Sequence, residues 1–266
     1  MKTTPTVLSI AGFDPYGGAG IQADIKTVHA LGCYAYSVTT AVTAQNSQGV
    51  AASYPLPAAQ VEMQLRTLLD DVRVDAVKIG MLGNAEVVET VARVLKAYEV
   101  SNIVLDTVLV SSSGALLLDE AGREMMVTKL FPMARLVTPN LDETNVLLNE
   151  TFEGTAREVL MMAEGFFSLG ARNVLLKGGH SAEEEAVDYL VEASNISRFS
   201  HPRIDTTRTH GTGCVLSSAI AAKLAQGMAL APAVKQAKKF LSQRLEASWP
   251  KLAYVSRKRK RKEPFI

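Results

Sequence analysis

The residues with the clearest chemical potential are Thr209-His210-Gly211-Thr212-Gly213-Cys214, which break a polar segment and lead straight into a helix-like run over residues 215–226. Glycines allow a sharp turn and a close backbone approach to a ligand, and a helix start adds partial positive charge to outward-pointing N–H groups. That combination suits an anion, such as a phosphate in transfer. Cys214 falls in the first turn, where the same field is expected to favour a thiolate, so it can serve as nucleophile or general base. The alternative is a glycine-containing loop that caps an ordinary helix.

Such groups need a rigid frame. Short apolar runs at residues 7–10, 76–79, 103–105, 136–137 and 174–176 read as strands buried on both faces. Helical periodicity lies between them, over residues 19–31, 58–72, 85–98, 119–130, 141–148 and 155–169. This alternation predicts an α/β fold with a largely parallel sheet covered by helices. Each run is followed by residues able to do chemistry: Gly12 and Asp14, then Gly80 and Met81, then Asp106, then Asn140, then Lys177-Gly178-Gly179-His180. In an open parallel sheet those ends share one rim, where ligands bind. Packing alone gives no reason to repeat the pattern at five strand ends. Tyr189 and the stretch 230–249 read instead as packing residues.

Composition narrows the class. The chain has 266 residues, 47% of them hydrophobic, enough for a large core, and no Pro/Ser/Gly-rich linker divides it. We expect one domain over residues 1–250 and a basic tail over 251–266. The six consecutive basic residues 257–262 mask a mildly acidic body: removing them from the 28 basic residues leaves 22 against 27 acidic ones, a balance of −5. Nothing in that bulk charge points to nucleic-acid binding, and the tail reads as a solvated, self-repelling run. Two cysteines, Cys33 and Cys214, are too few for a disulfide scaffold and fit a reducing compartment, so a cytoplasmic enzyme without a membrane span is expected. No P-loop, kinase H-R-D, G-x-S-x-G elbow or H-E-x-x-H helix is present, and the four histidines lack metal-ligand spacing.

Seven segments in order carry a resemblance: the glycine-rich stretch 11–24, Ala44-Gln45-Asn46, Lys78-Ile79-Gly80-Met81, Leu105-Asp106-Thr107-Val108, Thr138-Pro139-Asn140-Leu141-Asp142-Glu143, Lys177-Gly178-Gly179-His180, and the opening motif. Together they resemble the ribokinase-like superfamily, and within it the bacterial hydroxymethylpyrimidine/phosphomethylpyrimidine kinases of thiamin synthesis. The resemblance implies a three-layer α/β/α sandwich. It also implies ATP-dependent phosphorylation of 4-amino-5-hydroxymethyl-2-methylpyrimidine to its monophosphate and then to its pyrophosphate, with ATP, Mg²⁺ and a homodimer. In its terms Gly211, Thr212 and Gly213 form the anion hole and Cys214 is the base. Gln45 reads the aminopyrimidine, Asp24 meets its hydroxymethyl or amino group, and Ala19, Gly20, Met81 and Val108 wall the pocket. Asp106 and Glu143 act near Mg²⁺, while Asn140, Lys177 and Lys238 contact ATP phosphates.

The chain departs from that pattern in places. Tyr16 stands where many relatives carry serine, and a phenol there is expected to narrow the pocket or form part of a lid. Ser112 replaces a lysine found in some relatives, which shifts charge stabilisation toward Lys177 and magnesium. Two rival readings follow: a pyridoxal kinase, since pyridoxal is another flat ring bearing a hydroxymethyl group, and a pyrimidine-binding paralogue without catalysis.

Overall fold

A computed structural model describes residues 4–46, 48–111, 114–178, 185–204 and 210–246. The expectations attached to Ser112, Gly179, His180, Thr209 and the tail lie outside these residues. The elements in chain order are β1 (Thr6–Phe13), α1 (Gly20–Ala30), β2 (Tyr34–Asn46), β3 (Gly49–Pro55), α2 (Ala58–Asp71), β4 (Ala76–Ile79), α3 (Ala85–Ala97), β5 (Ile103–Leu105) and α4 (Glu120–Met125). A π-helical turn, Met126–Leu130, extends α4, and β6 (Leu136–Val137), α5 (Leu141–Leu148), α6 (Val159–Ser168) and β7 (Val174–Leu176) follow. The described chain closes with β8 (Glu185–Glu192), β9 (Asn195–Pro202), α7 (Thr212–Ala225) and α8 (Leu230–Glu246).

One nine-stranded sheet runs in the order β3-β2-β1-β4-β5-β6-β7-β8-β9. Its centre is parallel from β2 to β7, and both margins are antiparallel, through β3 on one side and β8 and β9 on the other. The five apolar runs are its central strands, as the sequence predicts. β2, β3, β8 and β9 were not expected, because Thr and Ser in β2 and Glu185 and Asp188 in β8 interrupt any apolar run.

Side-chain alternation sorts the central strands between two cores. Leu8, Ile10, Ile103 and Leu105 face Val61 of α2, Val91 of α3 and Phe166 of α6. Val7 and Val104 face the opposite way, toward Val28 of α1, Ile220 of α7 and Val234 of α8. The result is the expected three-layer sandwich. Phe166, fully buried with its ring 6.0 Å from that of Phe131, anchors the first core; truncation to alanine there costs about 3–5 kcal/mol. α7 buries residues on all its faces, which explains why its sequence is apolar all round. Helix α6 starts later than expected because the Glu158 carboxylate accepts bonds from the Thr155 N–H and Oγ1, holding a separate turn there. Among the described residues no helix is long and apolar enough to cross a membrane.

Candidate active site

Parallel pairing brings the carboxyl ends of β1, β4, β5, β6 and β7 to one rim, where the start of α7 closes a cavity of about 640 Å³. The loop after β1 is gathered by Asp14, which is 1% exposed: its Oδ1 accepts the Tyr16 N–H at 2.8 Å, and its Oδ2 accepts those of Gly18 and Ala19 at 3.0 and 2.8 Å. Burial pushes this carboxyl up, but His210 and the backbone donors outweigh it, leaving Asp14 below its usual value. Glycine is obligatory where the two glycine loops touch. Gly211 has φ +78°, and a Cβ on it would stand 1.9 Å from the Gly18 carbonyl oxygen. Helix α7 begins at Thr212, so the anion-hole motif is itself the first turn rather than a loop ahead of it.

At the apolar end, Ala19, Gly20, Met81 and Val108 line the cavity, and Val108 packs against Ala41, Met81 and Leu117. Gln45 reaches the same cavity from the end of β2, where the pairing with β3 shifts register. Its amide makes no hydrogen bond among the described residues, so both its donor and its acceptor remain available to a ligand.

At the polar end Lys177 Nζ donates to Asp106 Oδ1 at 2.9 Å and lies 3.7 Å from Glu143 Oε2. Asp106 is 2% exposed and also accepts from Thr138 Oγ1 at 3.1 Å and Ser217 Oγ at 3.2 Å. Burial raises its carboxyl, but the charges of Lys177 and Lys78 pull it below the usual range; the same pairing holds Lys177 above the usual lysine value. A Cβ on Gly213 would stand 3.4 Å from Asp106 Oδ2 and 3.6 Å from Lys177 Nζ, so the start of α7 adjoins this ion pair. Asn140 and Glu143 line the cavity through a capping box at the start of α5. Asn140 Oδ1 accepts the Glu143 N–H, and Glu143 Oε2 accepts the Asn140 N–H, each at 2.8 Å. Thr107 Oγ1 donates to the same Oε2 at 2.9 Å.

Three expectations are corrected. Asp24 does not reach the cavity: it is fully buried, taking Ser9 Oγ at 2.6 Å, Ser218 Oγ at 2.7 Å and both of its oxygens' bonds from Lys78. Lys238 likewise lies off the wall, its ammonium donating at 2.6 Å to Asp188, whose other oxygen accepts the Gly178 N–H. The Cys214 thiol is on the wall with Gly211, Thr212 and Gly213, yet burial pushes it up to about 11. Lys78 and a Gly20 N–H pull the other way, and Asp24 and Asp106 oppose them, so the helix-start field does not prevail.

The sequence reading assigned no role to Lys78, although a lysine inside a strand buried on both faces must have a partner. It gave His210 no individual role either, although that residue stands in the opening motif; it lines the cavity with Nε2 3.4 Å from Asp14 Oδ2. Tyr16 is not among the lining residues, so no narrowing by its phenol is seen among the described residues.

The family described as phosphomethylpyrimidine kinase matches residues 14–256. The chain is 44% identical over 238 residues to the hydroxymethylpyrimidine/phosphomethylpyrimidine kinase of Escherichia coli strain K12, covering 90% of each chain. A crystal structure of phosphomethylpyrimidine kinase from Clostridium difficile aligns with a TM-score of 0.81 at 35% identity, covering 91% of this chain and 100% of that one. The ADP complex of Bacillus subtilis pyridoxal kinase aligns with a TM-score of 0.82 at 32% identity, covering 90% of this chain and 91% of that one.

Proposed function

We propose a function from one premise: this chain belongs to the phosphomethylpyrimidine kinase family. It transfers the γ-phosphoryl group of ATP to the hydroxymethyl group of 4-amino-5-hydroxymethyl-2-methylpyrimidine, then phosphorylates the monophosphate to the pyrophosphate used in thiamin synthesis. The observation that carries this reading is a single cavity joining an apolar, amide-bearing end at Met81, Val108 and Gln45 to a glycine anion hole beside Lys177 and Asp106.

Ala19, Gly20, Met81 and Val108 hold the ring and exclude water, while Gln45 pairs with its ring nitrogen and amino group. The N–H groups at the start of α7 receive the transferred phosphoryl, and Lys177 and Asn140 meet the nucleotide's phosphate oxygens. Cys214 takes the alcohol proton in the first transfer. The second acceptor has a pKa of about 6 and is already largely anionic at neutral pH, so it needs alignment more than a base.

Asp106 and Glu143 fit a magnesium site, since a cation, the Lys177 ammonium, already sits beside both carboxylates. No three His, Cys, Asp or Glu side chains form a metal cage among the described residues, so the ion would complete its shell with phosphate oxygens and water. When bound it neutralises charge on the transferring phosphate. The reading further places the protein in the cytoplasm as a homodimer, with residues 1–250 acting as one kinase domain and no membrane or nucleic-acid partner.

The likeness to a pyridoxal kinase keeps vitamin B6 salvage as the second reading, at lower identity than the pyrimidine kinase. ADP release with MgATP and each of hydroxymethylpyrimidine, its monophosphate and pyridoxal decides between them. Turnover of both pyrimidines is expected. Turnover of pyridoxal alone would replace this reading, and binding of pyrimidine without ADP release would identify a non-catalytic paralogue.

A further inference from the structure

Beneath the cavity lies a charged cluster that the sequence reading did not explain. Alternation along β4 turns Lys78 toward the layer of α1 and α7, where it is 0% exposed and donates to both oxygens of Asp24 at 2.9 and 2.8 Å. Ser9 from β1 and Ser218 from α7 complete the carboxylate's bonds, so the pair is fixed from four elements. Lys78 nonetheless borders the cavity, and a Cβ on Gly80 would stand 2.7 Å from its Nζ. Asp24 takes two of its three N–H bonds, and no acceptor for the third is found among the described residues. Replacing a buried ion pair by well-packed apolar groups is often neutral or stabilising, so stability alone is a weak reason to keep one under a catalytic wall.

We propose that Lys78 is a positioning residue for Cys214: clamped by Asp24, its ammonium is the internal counter-ion of the sulfur when the thiol gives up its proton. Asp24 thereby acts on the chemistry through Lys78 rather than by touching substrate. Ser218, which holds Asp24 at 2.7 Å, stands one helical turn beyond Cys214 on α7, so the ion pair lies under the face of α7 that carries the thiol. The charged groups acting on Cys214 are Lys78 from β4, Asp24 from α1, Asp106 after β5 and Lys177 after β7. Lys78 contributes the largest opposition to burial, and the Gly20 N–H adds to it. A fixed charge of this kind stabilises a forming anion without reorganisation. The inference rests on the reading of Cys214 as the base of the first transfer.

Alkylation of Cys214 by iodoacetamide, followed by peptide mapping to separate it from Cys33, reads the thiolate population without requiring turnover. At pH 9, Lys78→Met is expected to slow alkylation at least about tenfold, the equivalent of one pKa unit. Unfolding acts in the opposite direction, because a released thiol returns toward about 8.5 and reacts faster. If the single variant unfolds, Lys78→Gln keeps a hydrogen-bond donor against Asp24 while removing the ammonium charge, and slowing is again expected. Unchanged alkylation in a folded variant would overturn the proposal. Slowed alkylation with unaltered first-transfer turnover would uphold the counter-ion and remove the base role of Cys214, so the two readings fail separately.

Discussion

Two lysine–aspartate pairs border the same cavity with nearly the same geometry and opposite accessibility. Lys78 and Asp24 meet at 2.8 Å with neither side chain exposed, whereas Lys177 and Asp106 meet at 2.9 Å with the lysine side chain 14% exposed. The first pair is closed in by Ser9 and Ser218 and acts only through its field. The second adjoins Gly213, so its ammonium can be shared with an arriving phosphate. Pair chemistry alone therefore does not identify a ligand-binding group; what the free N–H groups face does.

Breaking the open pair should have the largest effect. Lys177→Met removes the ammonium proposed to meet the phosphate oxygens, and steady-state kinetics should show about a 100- to 1,000-fold loss of turnover with both pyrimidine acceptors. A loss confined to one acceptor would place Lys177 elsewhere. The closed side can be sharpened by pH. With the Cys214 thiol at about 11, its thiolate fraction rises about tenfold per pH unit between 7 and 9. First-transfer kcat/KM should climb with it while second-transfer kcat/KM stays flat, and parallel profiles would remove the difference between the steps.

A third pair, Lys238 and Asp188, lies away from the cavity wall. Lys238→Met leaves a buried carboxylate unpaired and should cost about 3–5 kcal/mol in chemical denaturation, with a smaller loss of turnover than Lys177→Met. The smallest effect belongs to the exposed surface pair of Arg93 and Glu62. Arg93→Ala should leave both transfers unchanged, since the pair is solvent-accessible and neither residue lines the cavity.

The rim was legible because central strands are short apolar runs and the residues that end them are chemically unlike the residues within them. Asp106, Asn140 and Lys177 could be read that way, as could the glycines at the start of α7, whereas Glu143 came only from the family resemblance. Asp24 and Lys238 were misread for one physical reason. Each lies in a plausible motif or helix, but the partner that takes its charge is 54 residues away in the first case and 50 in the second. Cys214 shows the same limit: the helix-start field is local and visible, while the burial that outweighs it belongs to the tertiary structure. The marginal strands β8 and β9 escaped because polar residues, Asp188 in β8 and Ser197, Arg198 and Ser200 in β9, break their apolar residues into short pieces.

Under the proposed function one cavity performs two phosphoryl transfers that differ in their need for a base. Single-turnover measurement of both transfers in Cys214→Ala tests it most directly. General-base loss is worth about 100-fold or more in rate, so the first transfer should fall by that amount and the second by at least about tenfold less. Equal losses in the two steps, or an unaffected first step, would contradict the account.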